Sequence, residues 1–234
     1  MEASSGTPSG TVNIRPLERR MGIFDRALAE FGRAAQILGG SVQAARPNPA
    51  GRPGPSGEEG GEALPPDAQR HAAGLMRVNH VGEICAQALY RGQAFFCRDA
   101  SIRKVFYQAA SEEVDHLAWC HDRIAELRSR PSLLNPFWYA GSFTLGVVAG
   151  RAGVGANLGF MAETERQVEQ HLDRHLDDLP SNDARSRRIV TQMRDDEIKH
   201  RNTAEQHGGH RLPAPVRLAM RAMSKVMTTT AYRI

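Results

Sequence analysis

Arg194-Asp195-Asp196-Glu197-Ile198-Lys199-His200 carries a carboxylate and an imidazole three residues apart, and Glu113-Val114-Asp115-His116 repeats the pair. On a helix, positions i and i+3 lie about 60° apart around the axis with Cβ atoms roughly 5–6 Å apart, so the two side chains converge on one point. A helical turn can in this way offer two ligands to one metal ion. A single Glu-x-x-His is weak evidence in a chain with 26 acidic residues and 9 histidines. Here there are two, and each follows a lone mid-helix glutamate. Glu83 precedes Glu113 by 30 residues, and Glu165 precedes Glu197 by 32.

For this layout to form a site, each half must be helix, turn, helix. A reversal near the middle of each interval leaves arms of about 15 residues, roughly 22 Å, which brings the paired ligands to one level. Two such hairpins place four carboxylates and two imidazoles inside a four-helix bundle, the layout of ferritin-like di-iron carboxylate proteins. Four buried carboxylates are costly without cations, and two divalent ions neutralise them. Carboxylate-rich, thiolate-free ligation favours iron or manganese over zinc or copper(I). The spacing predicts Glu113 and Glu197 as bridging ligands, Glu83 and Glu165 as terminal ones, and His116 and His200 beside them. Neighbours compete for these roles. His80 precedes Glu83 by one turn without a counterpart in the other half, and reads as a helix-surface or supporting histidine. Glu163 and Glu169 flank Glu165, and spacing alone does not exclude them. Glu112 points about 100° away from Glu113 and reads as solvated. Asp115 and Asp196 are candidate acceptors for the ligand imidazoles, with plain surface charge an equal alternative. His171 lies some 120° around the helix from Glu165, too far to share its metal, and is a candidate gating or supporting group.

The rest of the chain must position these residues. Its 234 residues suffice for one domain with a substantial core. Cys85, Cys97 and Cys120 lie in apolar helical pattern with no Cys-x-x-Cys, which implies reduced, buried thiols. Residues 1–20 read as a disordered leader, 23–38 as a short amphipathic helix, and 45–66, with six prolines and five glycines, as a linker. Residues 1–65 thus form a flexible N-terminal segment and 66–234 the folded domain. Helices are expected from Pro66 to Cys97 and over about 102–129, 155–179, 183–207 and 216–231. No period-two pattern persists, so the fold class is all-α. Ser132 to Gly150 contains no charged residue. Three readings stand for it: a buried helix pair, an apolar surface dipping into one leaflet or lining a substrate channel, and a membrane span that its Asn, Pro and Gly residues interrupt. The net charge of +4 resides C-terminally, where residues 201–234 hold six basic side chains and one acidic. The last helix is therefore either a packed helix with a solvated face or a membrane-surface helix. No secretory signal is evident in the first twenty residues, which places the protein on the side of the membrane where it is made.

Arg77-Val78-Asn79-His80-Val81-Gly82-Glu83, Glu113-Val114-Asp115-His116, Glu165 with His171 six residues on, and Arg194 to His200 together resemble the demethoxyubiquinone hydroxylase family of ubiquinone biosynthesis. The resemblance spans about residues 65–234, and it selects Glu165 over Glu163 and Glu169. It implies a ferritin-like four-helix bundle with additional membrane-associated helices. It implies a di-iron monooxygenase that hydroxylates the ring of a demethoxyubiquinol with dioxygen and two reducing equivalents, from NADH or from the quinol. The implied partners are a polyprenyl quinol, the membrane lipid surface on the cytoplasmic face of a bacterial inner membrane, and other ubiquinone-biosynthesis proteins. A ferritin-like ferroxidase or peroxidase would use the same ligands without the apolar stretch and basic end. A di-iron tRNA hydroxylase would explain the basic charge, but no aromatics are interleaved with the cluster, and no nucleic acid is expected.

Overall fold

The computed structural model describes residues 22–51 and 64–234. The expectations for residues 1–20 and for most of the Pro/Gly-rich stretch lie outside the described residues. Among these, the fold is all-α: α1 (Ile23–Leu38), α2 (Pro66–Phe96), α3 (Ala100–Glu126), α4 (Asn135–Arg151), α5 (Val154–Asp178), α6 (Ala184–Gln206) and α7 (Ala214–Ala231). Helix starts follow from local chemistry. Pro66 opens α2, where its missing N–H costs nothing, and Asp67 stands in the first turn. Asp99 caps α3 by accepting from the Ser101 and Ile102 amides at 2.8 and 3.2 Å, and Asp183 caps α6 from the Ser186 amide at 2.9 Å.

The hairpins α2–α3 and α5–α6 pair into a ferritin-like four-helix bundle. Two apolar clusters hold it. One gathers Met76, Trp119, Ile124, Leu172, Ile189 and Met193. The other gathers Tyr90, Phe106, Ala110, Leu158, Met161 and Ala204. On every bundle helix, one of the four recurring glutamates falls in sequence between its contributions to the two clusters. The polar centre is therefore mid-bundle, sealed at both ends by close-packed side chains.

Residues 132–150 form neither a buried helix pair nor a span. They provide the single helix α4, laid against α2, and no described helix is long and apolar enough to cross a membrane. The glycines that interrupt its hydropathy permit the close crossing: a Cβ on Gly146 would sit 2.1 Å from the Leu89 carbonyl, and one on Gly92 would sit 2.3 Å from that of Phe143. The outer side of α4 leaves Phe137 75 % exposed. α7 has Ala231 as its buried residue. It lies over α2 and α5 as a cover, not as a core helix. α1 is held by buried Ile37 and Glu30. Glu30 accepts from Arg91 Nε at 2.5 Å and from the Tyr107 hydroxyl at 3.3 Å.

Ala45–Gly51 depart from the linker reading. Ala50 is buried in the first apolar cluster, Arg185 donates to the Ala50 and Gly51 carbonyls at 2.8 and 3.1 Å, and the Ala45 amide donates to Asp115 at 2.6 Å. Composition underestimates this stretch because polar contacts, not apolar area, order it.

Candidate metal centre

Glu83, Glu113, Glu165 and Glu197 come one each from α2, α3, α5 and α6, with His116 and His200 one turn beyond the second and fourth. All six are buried. Their ligand atoms form two overlapping groups, Glu83–Glu113–His116–Glu197 and Glu113–Glu165–Glu197–His200, within each of which the atoms lie within 4.8 Å of one another. The overlap has a definite geometry. His116 Nδ1 faces Glu113 Oε2 at 2.8 Å, Glu197 Oε1 at 3.4 Å and Glu83 Oε2 at 3.6 Å. His200 Nδ1 faces Glu113 Oε1 at 3.2 Å, Glu197 Oε2 at 3.3 Å and Glu165 Oε1 at 3.6 Å. Glu113 and Glu197 each direct one oxygen to either histidine, whereas Glu83 and Glu165 each serve one.

The outer ring nitrogens are engaged by acids across the helix pair. His116 Nε2 donates to Asp196 Oδ2 at 3.2 Å, and His200 Nε2 donates to Glu112 Oε2 at 2.7 Å. With the Nε2 proton retained by these acids, Nδ1 is the nitrogen that faces the four glutamates, and it would serve as a metal ligand once a cation displaced its proton. The Tyr90 hydroxyl donates to Glu165 Oε1 from a fully buried position.

Charge dominates the electrostatics. Burial pushes the Glu83 carboxyl well above its ordinary range against the pull of His116. Burial, reinforced by the charge of Glu197, does the same to Glu165. At Glu113 and Glu197 burial acts in that direction too, but the two imidazoles outweigh it and hold both carboxyls low. Burial alone would lower both histidines. The acids around them win, and both stand well above the usual imidazole value. Among the described residues, Glu83 Oε2, both Glu113 oxygens and His116 Nδ1 are buried without a hydrogen-bond partner. Inward-facing acceptors with no donors are what cations satisfy, and ligands about 2.0–2.2 Å from a divalent ion are separated by up to about 4.4 Å, close to the spread observed. The cluster is able to bind metal.

A model described as Ubiquinone biosynthesis protein COQ7 matches residues 70–231. The chain belongs to this family. Among COQ7-like relatives, the 3-demethoxyubiquinol 3-hydroxylase of Bordetella petrii is 63% identical over 98% of this chain and 99% of its own length. The enzyme of the same name from Ralstonia pickettii is 60% identical over 91% of this chain and all of its own. That of Cupriavidus necator is 57% identical over 90% of this chain and all of its own.

The other residues singled out from the sequence fall elsewhere in this COQ7-family fold. Asp196 meets His116, but Asp115 instead accepts from Ala45 and Arg46. Glu112 is not simply solvated, because it accepts from His200 Nε2. An acid directly before each paired glutamate, Glu112-Glu113 and Asp196-Glu197, was the available signal. Glu163 pairs with Arg166 at 2.8 Å and Glu169 with Arg201, outside both groups. His80 is buried, not on the helix surface. Burial, then His121, lowers it to about 3. His171 packs on His175 with ring centroids 3.9 Å apart, and lines a cavity of about 310 Å³ between α2, α4, α5 and α7. Glu83 reaches the wall of this cavity, and Leu89, Leu145, Met220, Met223 and Met227 make it apolar. Arg46 and Tyr90 were missed: Arg46 because its surroundings read as linker, Tyr90 because a buried tyrosine two turns from Glu83 reads as core.

Proposed function

We propose that this chain hydroxylates the aromatic ring of a demethoxyubiquinol, using a di-iron centre held by Glu83, Glu113, His116, Glu165, Glu197 and His200. The observation that carries the reading is the pair of overlapping ligand groups, in which Glu113 and Glu197 present one oxygen to each side. When bound, two irons supply dioxygen activation: one oxygen atom goes to the ring and the other leaves as water, with two electrons and two protons consumed. The six side chains hold that chemistry in a dry, mid-bundle position, where apolar clusters on both sides exclude bulk water. Asp196 and Glu112 keep the imidazoles oriented, and Tyr90 holds an oxygen of Glu165.

Access for the substrate is read from the apolar cavity, whose wall includes Glu83. Its size suits a substituted ring, and its lining from α4 and α7 suits a polyprenyl tail. A second apolar cavity of about 480 Å³ shares Cys85, Ser142, Met223 and Met227 with the first and widens the path between these helices. Peripheral attachment to the lipid surface follows in this reading. Phe137 on α4, Leu218 and Val226 on α7, and Phe24 and Phe31 on α1 are exposed, with Arg221 and Lys225 on α7 available to anionic headgroups. The electron donor belongs to the same proposal, as NADH or the quinol itself.

The test is single-turnover chemistry. Iron-loaded protein, reduced anaerobically and mixed with a short-tailed demethoxyquinol and oxygen, is expected to yield the ring-hydroxylated product with one atom from dioxygen. Protein carrying two irons that consumes oxygen but leaves the quinol ring intact would refute the assignment.

A further inference from the structure

Arg46 lies outside the residues that match the family model, in a stretch whose composition reads as linker, yet it makes a dense set of contacts at the metal centre. Its Nε donates to Asp115 Oδ2 at 2.6 Å and its Nη1 to Asp196 Oδ2 at 2.7 Å. Both acids are almost wholly buried, with side chains 5 % and 4 % exposed. They belong to different helices, α3 and α6, which supply the two Glu-x-x-His pairs. The guanidinium also lies over Trp119, with Cζ 4.9 Å from the ring centroid, and the same indole neighbours His116, at 5.4 Å between centroids. Arg46 Nη2 stands 3.4 Å from His116 Nε2. The Asp196 oxygen that accepts from Arg46 is the oxygen that accepts from His116.

We infer that Arg46 is a positioning residue of the metal centre, a two-armed clamp from outside the bundle that joins α3 to α6 and holds Asp196 where it orients His116. The physical need is clear from the charges. Asp115 and Asp196 add two carboxylates to the four already gathered in the centre, and like charges at this range repel unless a cation lies between them. A planar guanidinium with separate donor edges can satisfy both acids at once, whereas an ammonium is a single point charge. Asp196 has further partners in Lys199 and Gln192 at 2.9 and 3.1 Å. These bind its other oxygen, Oδ1, and so leave Oδ2 to Arg46 and His116. Among the described residues His200 has no equivalent clamp: its acceptor Glu112 is half-exposed and bonded otherwise to Gln108.

The inference rests on the metal reading, and the experiment separates the two. The full chain and its Arg46→Gln and Arg46→Lys variants are stripped of metal and titrated with Co(II), reading affinity and the visible absorption of the bound ion, with thermal melts alongside. Wild type is expected to take up two equivalents. Arg46→Gln is expected to weaken one of them by about 10–100-fold, the usual range for losing an outer hydrogen-bond partner, and to alter its absorption. Arg46→Lys is expected to recover only part of the loss. If Arg46→Gln does not fold, Arg46→Lys carries the test with the same readouts. A variant that melts earlier while affinity and absorption match wild type would make Arg46 a structural staple only and overturn the inference. Full recovery by lysine would remove the two-armed clamp. Wild type that binds no Co(II) would overturn the metal reading and this role together.

Discussion

His116 and His200 on one side, and His171 and His175 on the other, are four imidazoles of the same bundle in opposite settings, all buried but His171, which is half-buried against the cavity. The first two point Nδ1 at three carboxylates each and give Nε2 to a fourth. The second two face each other, with Arg174 among the charges that act on both, and among the described residues His171 Nε2 and His175 Nδ1 have no hydrogen-bond partner. Desolvation is common to both pairs. The difference lies in the acids: carboxylates raise the first pair, while desolvation with no acid opposing it depresses the second. A buried histidine becomes a ligand only when its neighbours both require a cation and aim its lone pair.

The sharpest way to break this comparison is to remove a shared carboxylate. Glu197 faces both histidines, so Glu197→Ala is expected to lose both metal equivalents and reduce hydroxylation to background. Glu83 faces only His116, so Glu83→Ala is expected to retain the His200-side equivalent. Iron content by elemental analysis decides it, and equal losses in the two variants would contradict the shared role of Glu197.

The next largest effect concerns the outer acids. Asp196→Asn removes a buried acceptor tied to Arg46, Lys199 and His116, and is expected to weaken metal binding by about 10–100-fold. Glu112→Gln sits at the half-exposed end, where water can replace the lost acceptor, and is expected to cost a few-fold at most. Metal titrations of the two variants against wild type compare the ends directly. A larger loss for Glu112→Gln would reverse the asymmetry.

Much of this centre was legible in the sequence because helical geometry is local. Once Glu113/His116 and Glu197/His200 sit on helices, the i, i+3 spacing brings each pair together, and the repeated interval brings Glu83 and Glu165 to the same level. The helix limits were legible for the same reason, since Pro66, Asp99 and Asp183 act on adjacent backbone. What escaped depends on contacts between distant segments. Arg46 is 69 residues from Asp115 and 150 from Asp196, and no periodicity links them. Asp115 was a candidate acceptor for a ligand imidazole, but whether Asp115 or Glu112 meets one is set by the rotation of α3 against α6. The burial of His80 likewise follows from how α2 packs in the fold, which its sequence neighbours do not set. Ser132–Gly150 misled in another way, because its glycines resemble breakers in a hydropathy profile and serve instead as the contact surface of α4 on α2.

The smallest expected effect tests the second pair of histidines and reverses the sign found at the first. Burial, then Arg174 and Lys225, lowers His171 to about 4, and burial with His171 lowers His175 to about 2. Between the unfolded value near 6.5 and these folded values, the unfolded chain binds protons that the native one refuses. Native stability must therefore fall as pH drops below about 6.5, with the His171 contribution complete near pH 4. Replacing the group that cannot charge should flatten this acid limb. His171→Gln is expected to lose less stability than wild type on moving from pH 7.5 to pH 5, by about 1–2 kcal/mol, since each unit of displaced titration is worth about 1.4 kcal/mol and part of the site is open to the cavity. Urea melts of metal-stripped protein at the two pH values measure it. His116 and His200, held protonated by their acids, bind more protons folded than unfolded above about pH 6.5, so their contribution to the metal-stripped fold declines as pH rises. The two pairs should thus shape opposite flanks of one stability profile. An acid limb as steep in His171→Gln as in wild type would place the pH sensitivity elsewhere, and would show that lacking an acid partner does not by itself make a buried histidine costly here.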